Sequence, residues 1–263
     1  MKNKTYIGIT GAEDEREVKS VLNEFSEAGY NMQSKHIPML GFLVSYKTLN
    51  RQFVGNKRYP LMDSLPNLLM EARGNAFTMV HYNTKEMSTL FEQVSKIFER
   101  IYKWNLCDAL QLNIVWPDIT QVKMIKEKFP DMGIVFQASE KAMNGKTPKE
   151  IANKIMEYGN SINYVLIDPS GGEGREFQTD DSINLYNELK EKSSNLAIGF
   201  AGGFSGDNVE KKITDIIEKI KTSDFCIDAE GGLRDKLSEE YGDDFLNIKK
   251  VRNYLQEASK VLE

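Results

Sequence analysis

Cysteine is scarce in this chain. Cys107 and Cys226 are the two cysteines among its 263 residues, and each lies in or beside an apolar run. Two cysteines are too few for a disulfide framework, so the sequence indicates buried free thiols. The first ten residues, MKNKTYIGIT, contain no apolar stretch long enough for a signal peptide. From these features we expect a cytoplasmic protein.

Long apolar runs and basic clusters are missing as well. No segment approaches the roughly 20 apolar residues that a membrane-spanning helix needs, so we expect no membrane contact. The net charge is −5 at pH 7 and no basic run stands out, which argues against a nucleic-acid partner. The residue pattern gives no indication of a metal, a cofactor or an oligomeric state.

What the chain does contain is a repeated pattern of apolar runs that end in glycine clusters. The runs are YVLI before Asp168, LAIGF before Ala201 and FCI before Asp228. The glycines that follow them are Gly171, Gly172, Gly174, Gly202, Gly203, Gly231 and Gly232. Such runs are typical of strands buried on both faces, and the glycines let the backbone approach a ligand closely. The pattern predicts one site at the carboxyl edge of a parallel sheet.

Strand-like and helix-like segments alternate along the whole chain. The predicted strands are Tyr6–Thr10, Ile37–Val44, Ala76–Tyr82, Ala109–Ile114, Gly133–Gln137, Tyr164–Asp168, Leu196–Phe200 and Phe225–Asp228. The predicted helices are Asp14–Glu27, Leu61–Arg73, Met87–Tyr102, Ile119–Phe129, a helix opened by the capping box Thr147–Glu150, Asp181–Lys192, Asn208–Lys221 and Phe245–Leu262.

Eight alternating units predict a closed (β/α)8 barrel, because parallel strands need crossover helices between them. A doubly wound open sheet is the alternative. No linker or composition break divides the chain, so residues 1–263 are predicted to form one α/β domain. The longest irregular stretch is 45–60, which follows the second strand and would lie over the catalytic face of a barrel.

The glycine-marked segments resemble those of the phosphoribosylanthranilate isomerases, the barrel enzymes of the tryptophan pathway. Tyr164–Phe177 is similar to the family's strand-six signature, in which an apolar run and an Asp precede a Gly-Gly-x-Gly loop. The other similar segments are Gly8–Thr10, Asn56–Tyr59, Ala109–Leu112, Leu196–Val209 and Phe225–Leu233. The resemblance spans most of the chain and is most specific in its last third.

The resemblance implies roles for particular residues. Asp168 falls on the family's general acid, which protonates the ring oxygen in an Amadori rearrangement. Arg58 falls on the arginine that binds a substrate carboxylate through two parallel donors. A small phosphorylated metabolite would be bound by Gly171, Gly172, Gly202, Gly203, Asn208, Gly231 and Gly232. Exposed backbone N–H groups and the start of the helix near Asn208 favour phosphate on physical grounds as well.

Two departures from the family concern the base and the final turn. The family's cysteine before Gly-x-Thr in strand one is Ile7 here, and its histidine after strand four is Asn113. Isoleucine cannot accept a proton. The side chains that could replace the base from the same face are His81, Glu173, Asp228 and Glu230. Glu230 also replaces a hydroxyl of the Ser-Ser-Gly turn, and it would repel a phosphate unless it turned outward or paired with Arg175 or Arg234.

Two functions therefore remain open. The first is an isomerase-like enzyme that acts on a phosphorylated sugar derivative with Asp168 as its acid. The second is a ligand-binding or regulatory homologue that has kept the barrel and lost the reaction. Ile7 favours the second, whereas Asp168 and Arg58 favour the first. A sugar-phosphate lyase or aldolase would need a lysine projecting from a strand, and the apolar runs contain none.

Overall fold

The computed structural model describes residues 3–52, 56–169, 179–238 and 243–262. The barrel strands within these ranges are β1 (Thr5–Thr10), β2 (His36–Ser45), β3 (Phe77–Asn83), β4 (Ala109–Leu112), β5 (Gly133–Ser139), β6 (Tyr164–Asp168), β7 (Ala197–Ala201) and β8 (Cys226–Ala229). They are parallel and lie in sequential order, and β8 pairs with β1. This closure removes both sheet edges, so the (β/α)8 barrel is confirmed and the open sheet is excluded.

Helices surround the barrel. Their bounds are α1 (Glu15–Glu27), α2 (Tyr46–Leu49), α3 (Leu65–Ala72), α4 (Leu90–Ile101), α5 (Ile119–Lys128), α6 (Glu140–Met143), α7 (Pro148–Met156), α8 (Thr179–Lys192), α9 (Val209–Ile220) and α10 (Ile248–Leu262). The predicted capping box is present at α7, where Thr147 and Glu150 bond each other's backbone N–H. In the described ranges, no helix combines the length and apolar character required to cross a lipid bilayer.

The strand side chains fall into two apolar layers. The inner layer fills the barrel and consists of Tyr6, Ile37, Met39, Met79, Ala109, Val135, Tyr164, Leu166, Ala201 and Cys226. The outer layer lies between the strands and the helices and includes Ile7 and Ile9 of β1. Successive residues of a strand point to opposite faces. Tyr6, Gly8 and Thr10 therefore face the interior.

Ile7 faces away from the barrel mouth. A Cβ built on Gly8 would collide with Met39 Cε and Asp228 Oδ1, which are interior groups, so its neighbour Ile7 points to the helices. Ile7 is completely buried in the outer layer. Ile7, the residue at the family's base position, therefore does not fill the space opposite Asp168. A general base, if there is one, must be another side chain that lines this space.

Both cysteines are buried free thiols, as the sequence predicted. Cys226 belongs to the inner apolar layer, and Cys107 belongs to the outer one. Burial raises the pKa of each thiol to about 12. Neither sulfur is ionised at neutral pH, so neither can act as a nucleophile or as the missing thiolate base.

The chain after β8 differs from the prediction. Arg234–Lys236 (β9) and Asp244–Leu246 (β10) pair as antiparallel strands, so Phe245 lies in a strand and not at the start of the last helix. Helix α10 begins later, after Asn247, whose Oδ1 accepts the backbone N–H groups of Lys249 and Lys250. Strands of three residues are too short to produce a periodic sequence pattern.

The segment 45–60, predicted to be irregular, contains the one-turn helix α2. Ser45 and Thr48 form a capping box at its start. One helical turn has too few residues to show helical periodicity. The described residues 56–60 continue from there and carry Arg58 to the end of β8, where it contacts Glu230.

Replacing Ile7 with alanine should lower the free energy of unfolding by about 2–5 kcal/mol, because it opens a cavity in a packed layer. Leu61→Ala is the matched control, since Leu61 is 73% exposed. That variant should change stability by less than about 0.5 kcal/mol. Guanidinium denaturation followed by circular dichroism measures both. Equal, small effects would show that Ile7 does not lie in the outer layer.

Candidate active site

A cavity of about 590 Å³ opens at the carboxyl ends of the barrel strands. The strand residues that line it are Leu43, His81, Asn83, Gln111, Gln137, Ser139, Leu166, Asp168, Ala201 and Asp228. The loops after β7 and β8 add Gly202, Gly203, Glu230 and Gly231. Barrel enzymes carry their catalytic groups on this face, so the cavity is the candidate active site.

Two buried carboxyl groups project into this cavity. Asp168, the last residue of β6, is 4% exposed and accepts a hydrogen bond from Gln137 Nε2 at 2.7 Å. Asp228 on β8 is 6% exposed, and Thr10 Oγ1 lies 3.0 and 3.1 Å from its two carboxyl oxygens. Each aspartate is thus held by a side chain from a different strand. No sequence motif pointed to either partner, Gln137 or Thr10, although both lie on the inner face of their strands.

The two carboxyl groups do not titrate independently. Burial raises the pKa of Asp228 well above its ordinary value. The hydrogen bond from Thr10 opposes this shift, while the negative charges of Glu230 and Asp168 add to it. Like charges in one buried site resist simultaneous ionisation. Asp228 therefore keeps its proton to a higher pH than a surface aspartate does.

A cluster of ion pairs closes the β8 side of the site. Arg58 Nη1 donates to Glu230 Oε1 at 2.6 Å, and Arg58 Nη2 donates to Asp244 Oδ2 at 2.6 Å. Arg234 Nε donates to Asp244 Oδ1, and its Nη1 donates to the carbonyl of Gly11 at 2.9 Å. Burial raises the pKa of Asp244, but hydrogen bonds from both arginines outweigh it and leave the pKa below the ordinary value.

This cluster decides how Arg58 and Glu230 are placed. From the sequence, Glu230 is expected to repel a phosphate unless it turns outward or pairs with Arg175 or Arg234; in the structure it pairs with Arg58. Arg175 lies outside the described residues. Arg58, predicted to bind a substrate carboxylate, directs donors at two carboxylates of the protein itself. The pair also offsets the negative charge that Glu230 brings to the final turn.

The predicted phosphate loop after β7 lies at the cavity edge. Gly202 and Gly203 have φ angles of 111° and 63°, a left-handed backbone that favours glycine. Asn208 Nδ2 donates to the carbonyl of Gly203 at 2.8 Å, and Asn208 Oδ1 accepts the N–H of Ser205 at 3.0 Å. Asn208 therefore shapes the loop just before α9. Gly171 and Gly172, predicted for the same role, lie outside the described residues.

The two glycines after β8, Gly231 and Gly232, differ in what they contact. Gly231 lines the cavity. A Cβ at Gly232 would collide with the carbonyl oxygen of Phe204, so the close approach of the two loops requires glycine there. Lys212 on α9 brings a positive charge to the loops, since its Nζ lies 3.3 and 3.2 Å from the carbonyl oxygens of Gly202 and Gly203. No sequence motif pointed to Lys212.

His81 and Gln111 line the cavity from β3 and β4. Burial lowers the pKa of His81 to about 3, so its imidazole is neutral near pH 7. Gln111 Nε2 donates to Asn113 Oδ1 at 2.8 Å. His81 had been a candidate base and Gln111 had no assigned role. Among the other candidate bases, Glu173 lies outside the described residues.

No protein-family model matches the chain, and no curated protein sequence matches it. Solved structures do match. The phosphoribosyl anthranilate isomerase of Thermotoga maritima is 14% identical with a TM-score of 0.62, over 97% of this chain and 99% of that one. The same enzyme from Thermus thermophilus is 13% identical with a TM-score of 0.64, over 97% and 99%. This likeness shows the fold.

A third match, to a protein with a different activity, shows that this likeness concerns the fold alone. A domain of the chitinase from Pyrococcus furiosus is 10% identical with a TM-score of 0.59, over 99% of this chain and 97% of that one. An isomerase and a chitinase domain thus match the barrel about equally well. One barrel hosts many chemistries, so function has to be argued from the side chains of the site.

Replacing Asp228 with asparagine should stabilise the protein at neutral pH. Above the ordinary aspartate pKa of 3.8 the unfolded chain releases this proton while the native state retains it, so wild-type stability falls as pH rises. The Asp228→Asn variant has no carboxyl group at this position, so its stability does not fall in this way. Its free energy of unfolding should exceed that of wild type by a margin that grows as the pH rises above about 4.

Asp235→Asn is the control, because hydrogen bonds from Lys250 and Asn247 lower the pKa of the partly exposed Asp235, so the sign of the effect is reversed. Its stability relative to wild type should fall as the pH rises to about 4–5 and should not change with pH above that. Urea denaturation at several pH values measures both variants. A difference between Asp228→Asn and wild type that is independent of pH would contradict the raised pKa of Asp228.

Replacing Asp244 with asparagine should cost about 3–5 kcal/mol of stability, because it leaves two buried guanidinium groups without their shared carboxylate. The neighbouring Asp243 makes a longer, partly exposed pair with Lys57 at 3.5 Å. Asp243→Asn should therefore change stability little. Chemical denaturation compares the two, and equal effects would mean that the cluster does not stabilise the fold.

Proposed function

We propose that this protein is an enzyme that isomerises a small phosphorylated sugar derivative, with Asp168 as the general acid. The observation that carries the proposal is the pair of buried carboxyl groups, Asp168 and Asp228, in one cavity at the carboxyl end of the barrel. Acid–base isomerisation needs two groups whose proton affinities differ, and buried carboxyl pairs achieve this through desolvation and mutual repulsion.

Asp228 takes the part of the base. An Amadori rearrangement protonates the ring oxygen and removes a proton from C2. In the reactive arrangement Asp168 is protonated and Asp228 is ionised, since like charges in one buried site resist simultaneous ionisation. The raised pKa of Asp228 makes its ionised form a stronger base than an ordinary carboxylate. Thr10 holds Asp228 and Gln137 holds Asp168 in orientation.

The phosphate group binds at the edge of the cavity, at the loops after β7 and β8. Gly202 and Gly203 provide a left-handed backbone at the cavity edge. Helix α9 begins close by at Val209 and adds its positive end, and Lys212 adds a formal charge. Arg58 offsets the charge of Glu230, which would otherwise repel the phosphate.

A binding or regulatory protein without the reaction is the second candidate function. The observation that favours it is the engagement of Arg58 with Asp244 and Glu230. An arginine held in this way contributes less to a substrate carboxylate than the resemblance implies. A ligand could then bind in the cavity without being aligned for proton transfer.

Turnover of phosphorylated aldosylamines and aldose phosphates to ketose products tests the proposal, together with growth of a strain that lacks phosphoribosylanthranilate isomerase. Asp168→Asn and Asp228→Asn should each lower kcat by about 100-fold or more, since each removes one proton-transfer group. Asp207→Asn, an exposed change before α9, is the control and should retain activity.

Ile7→Cys should not raise the activity, because its side chain packs against the helices. Activity that survives Asp168→Asn would remove the assigned role of that residue. Sugar-phosphate binding by calorimetry without any ketose product would favour the binding protein over the enzyme.

A further inference from the structure

Two buried polar atoms line the cavity on the side away from the predicted phosphate loops. His81 and Gln111 are each 2% exposed. Within the described part of the chain, His81 Nε2 and Gln111 Oε1 have no hydrogen-bond partner. A buried polar atom without a partner destabilises the folded state. Such atoms are rare in folded proteins, and two in one cavity indicate that a bound ligand supplies their partners.

The two residues are adjacent in the barrel wall. His81 and Gln111 are direct register partners on the parallel strands β3 and β4. Both lie on the inner face, since each follows an inner-layer residue of its strand by two positions. A Cβ at Gly41 on β2 would meet His81 Nε2, so this nitrogen lies over a bare patch of the wall. The two side chains therefore lie on neighbouring strands of the cavity wall, with His81 Nε2 directed over Gly41 of β2 and Gln111 on β4.

Neither His81 nor Gln111 carries a charge near pH 7. The bond from Gln111 Nε2 to Asn113 Oδ1 leaves the amide oxygen, an acceptor, for the ligand. Burial lowers the pKa of His81 to about 3, so the imidazole carries no charge near pH 7. An amide oxygen repels a carboxylate, and a neutral imidazole gives it no charge to bind. A hydroxyl group fits either atom, because a hydroxyl can donate a hydrogen bond and can also accept one.

The position of His81 and Gln111 in the barrel indicates how a bound ligand would extend across the cavity. In the closed order β1 to β8, strands β3 and β4 lie across the barrel from β7 and β8. The loops after β7 and β8 carry Gly202, Gly203 and the charge of Lys212. A ligand with its phosphate at those loops would extend across the cavity, past Asp168 and Asp228, toward His81 and Gln111.

We infer that His81 and Gln111 recognise hydroxyl groups at the end of the substrate remote from its phosphate, so that the substrate is a phosphorylated polyhydroxy chain without a carboxylate at that end. The inference rests on the proposed function for the position of the phosphate. It agrees with the engagement of Arg58, the predicted carboxylate binder, in ion pairs within the protein.

Calorimetric titration of the full chain with ribitol phosphate and with pentyl phosphate tests this inference. The two ligands share the phosphate and the chain length, and pentyl phosphate lacks the hydroxyls. Wild type should bind ribitol phosphate about tenfold more tightly or better, as expected for one or two neutral hydrogen bonds. Equal affinities would overturn the inference while leaving the phosphate site intact.

Gln111→Met and His81→Phe remove the polar atoms at similar size. Each should weaken ribitol phosphate about tenfold and leave pentyl phosphate unchanged. Gln52→Met, an exposed change, is the control and should alter neither affinity. Thermal unfolding should show both cavity variants folded, because each removes an unpartnered buried atom. Unchanged affinity for ribitol phosphate in both folded variants would overturn the assignment of these two residues.

The same titrations separate this inference from the proposed function. Selective binding of ribitol phosphate by a protein that turns over no sugar phosphate would support the hydroxyl site and remove the isomerase. Failure of both phosphate esters to bind to wild type would overturn the phosphate site and the inference together. Turnover of a substrate that carries a carboxylate at its remote end, with kcat/KM unaffected by Gln111→Met, would overturn the inference alone.

Discussion

The strict alternation of strand side chains between two faces is the constraint on which the rest of this structure depends. In a closed barrel one face is the interior, so a shift of one residue exchanges a cavity position for a position under the helices. Met79 and His81 share the inner face of β3, as Cys226 and Asp228 do on β8. By the same rule Ile7 points outward to the helices. The isoleucine that replaces the family's cysteine therefore does not fill the site with an apolar side chain.

The interior changes character from one end to the other. Its amino-terminal part is a packed apolar layer that includes Tyr6 and Tyr164, whose rings lie 6.0 Å apart. Its carboxyl end is polar but low in free charge, because burial raises the pKa of Asp228, His81 is neutral and Glu230 is paired with Arg58. Low free charge in a buried site keeps the cost of desolvation moderate. It also makes the proton affinity of each group sensitive to the charge of a bound ligand.

The ion-pair cluster attaches the paired strands β9 and β10 to the rim of the barrel. Asp244 on β10 binds Arg58 from the segment after β2 and Arg234 from β9, and Arg234 reaches the carbonyl of Gly11 after β1. Three separate segments thus meet around one carboxylate. A buried cluster of this kind adds little net stability over apolar packing, but it is costly to break. Its effect is to hold the rim of the site in one arrangement.

The sequence by itself determined the barrel and the edge at which its polar groups collect, because apolar runs and glycine-marked ends report burial locally. Strand Tyr164–Asp168 has its predicted bounds, and Asp168 and Asp228 could be named as strand-end carboxyl groups. Only the tertiary structure decided which groups meet. The bonds of Thr10 to Asp228 and of Arg58 to Asp244 join residues 218 and 186 positions apart, and the orientation of Ile7 depends on the register of β1 against β8. No local pattern encodes such long-range pairings, since closure of the barrel creates them.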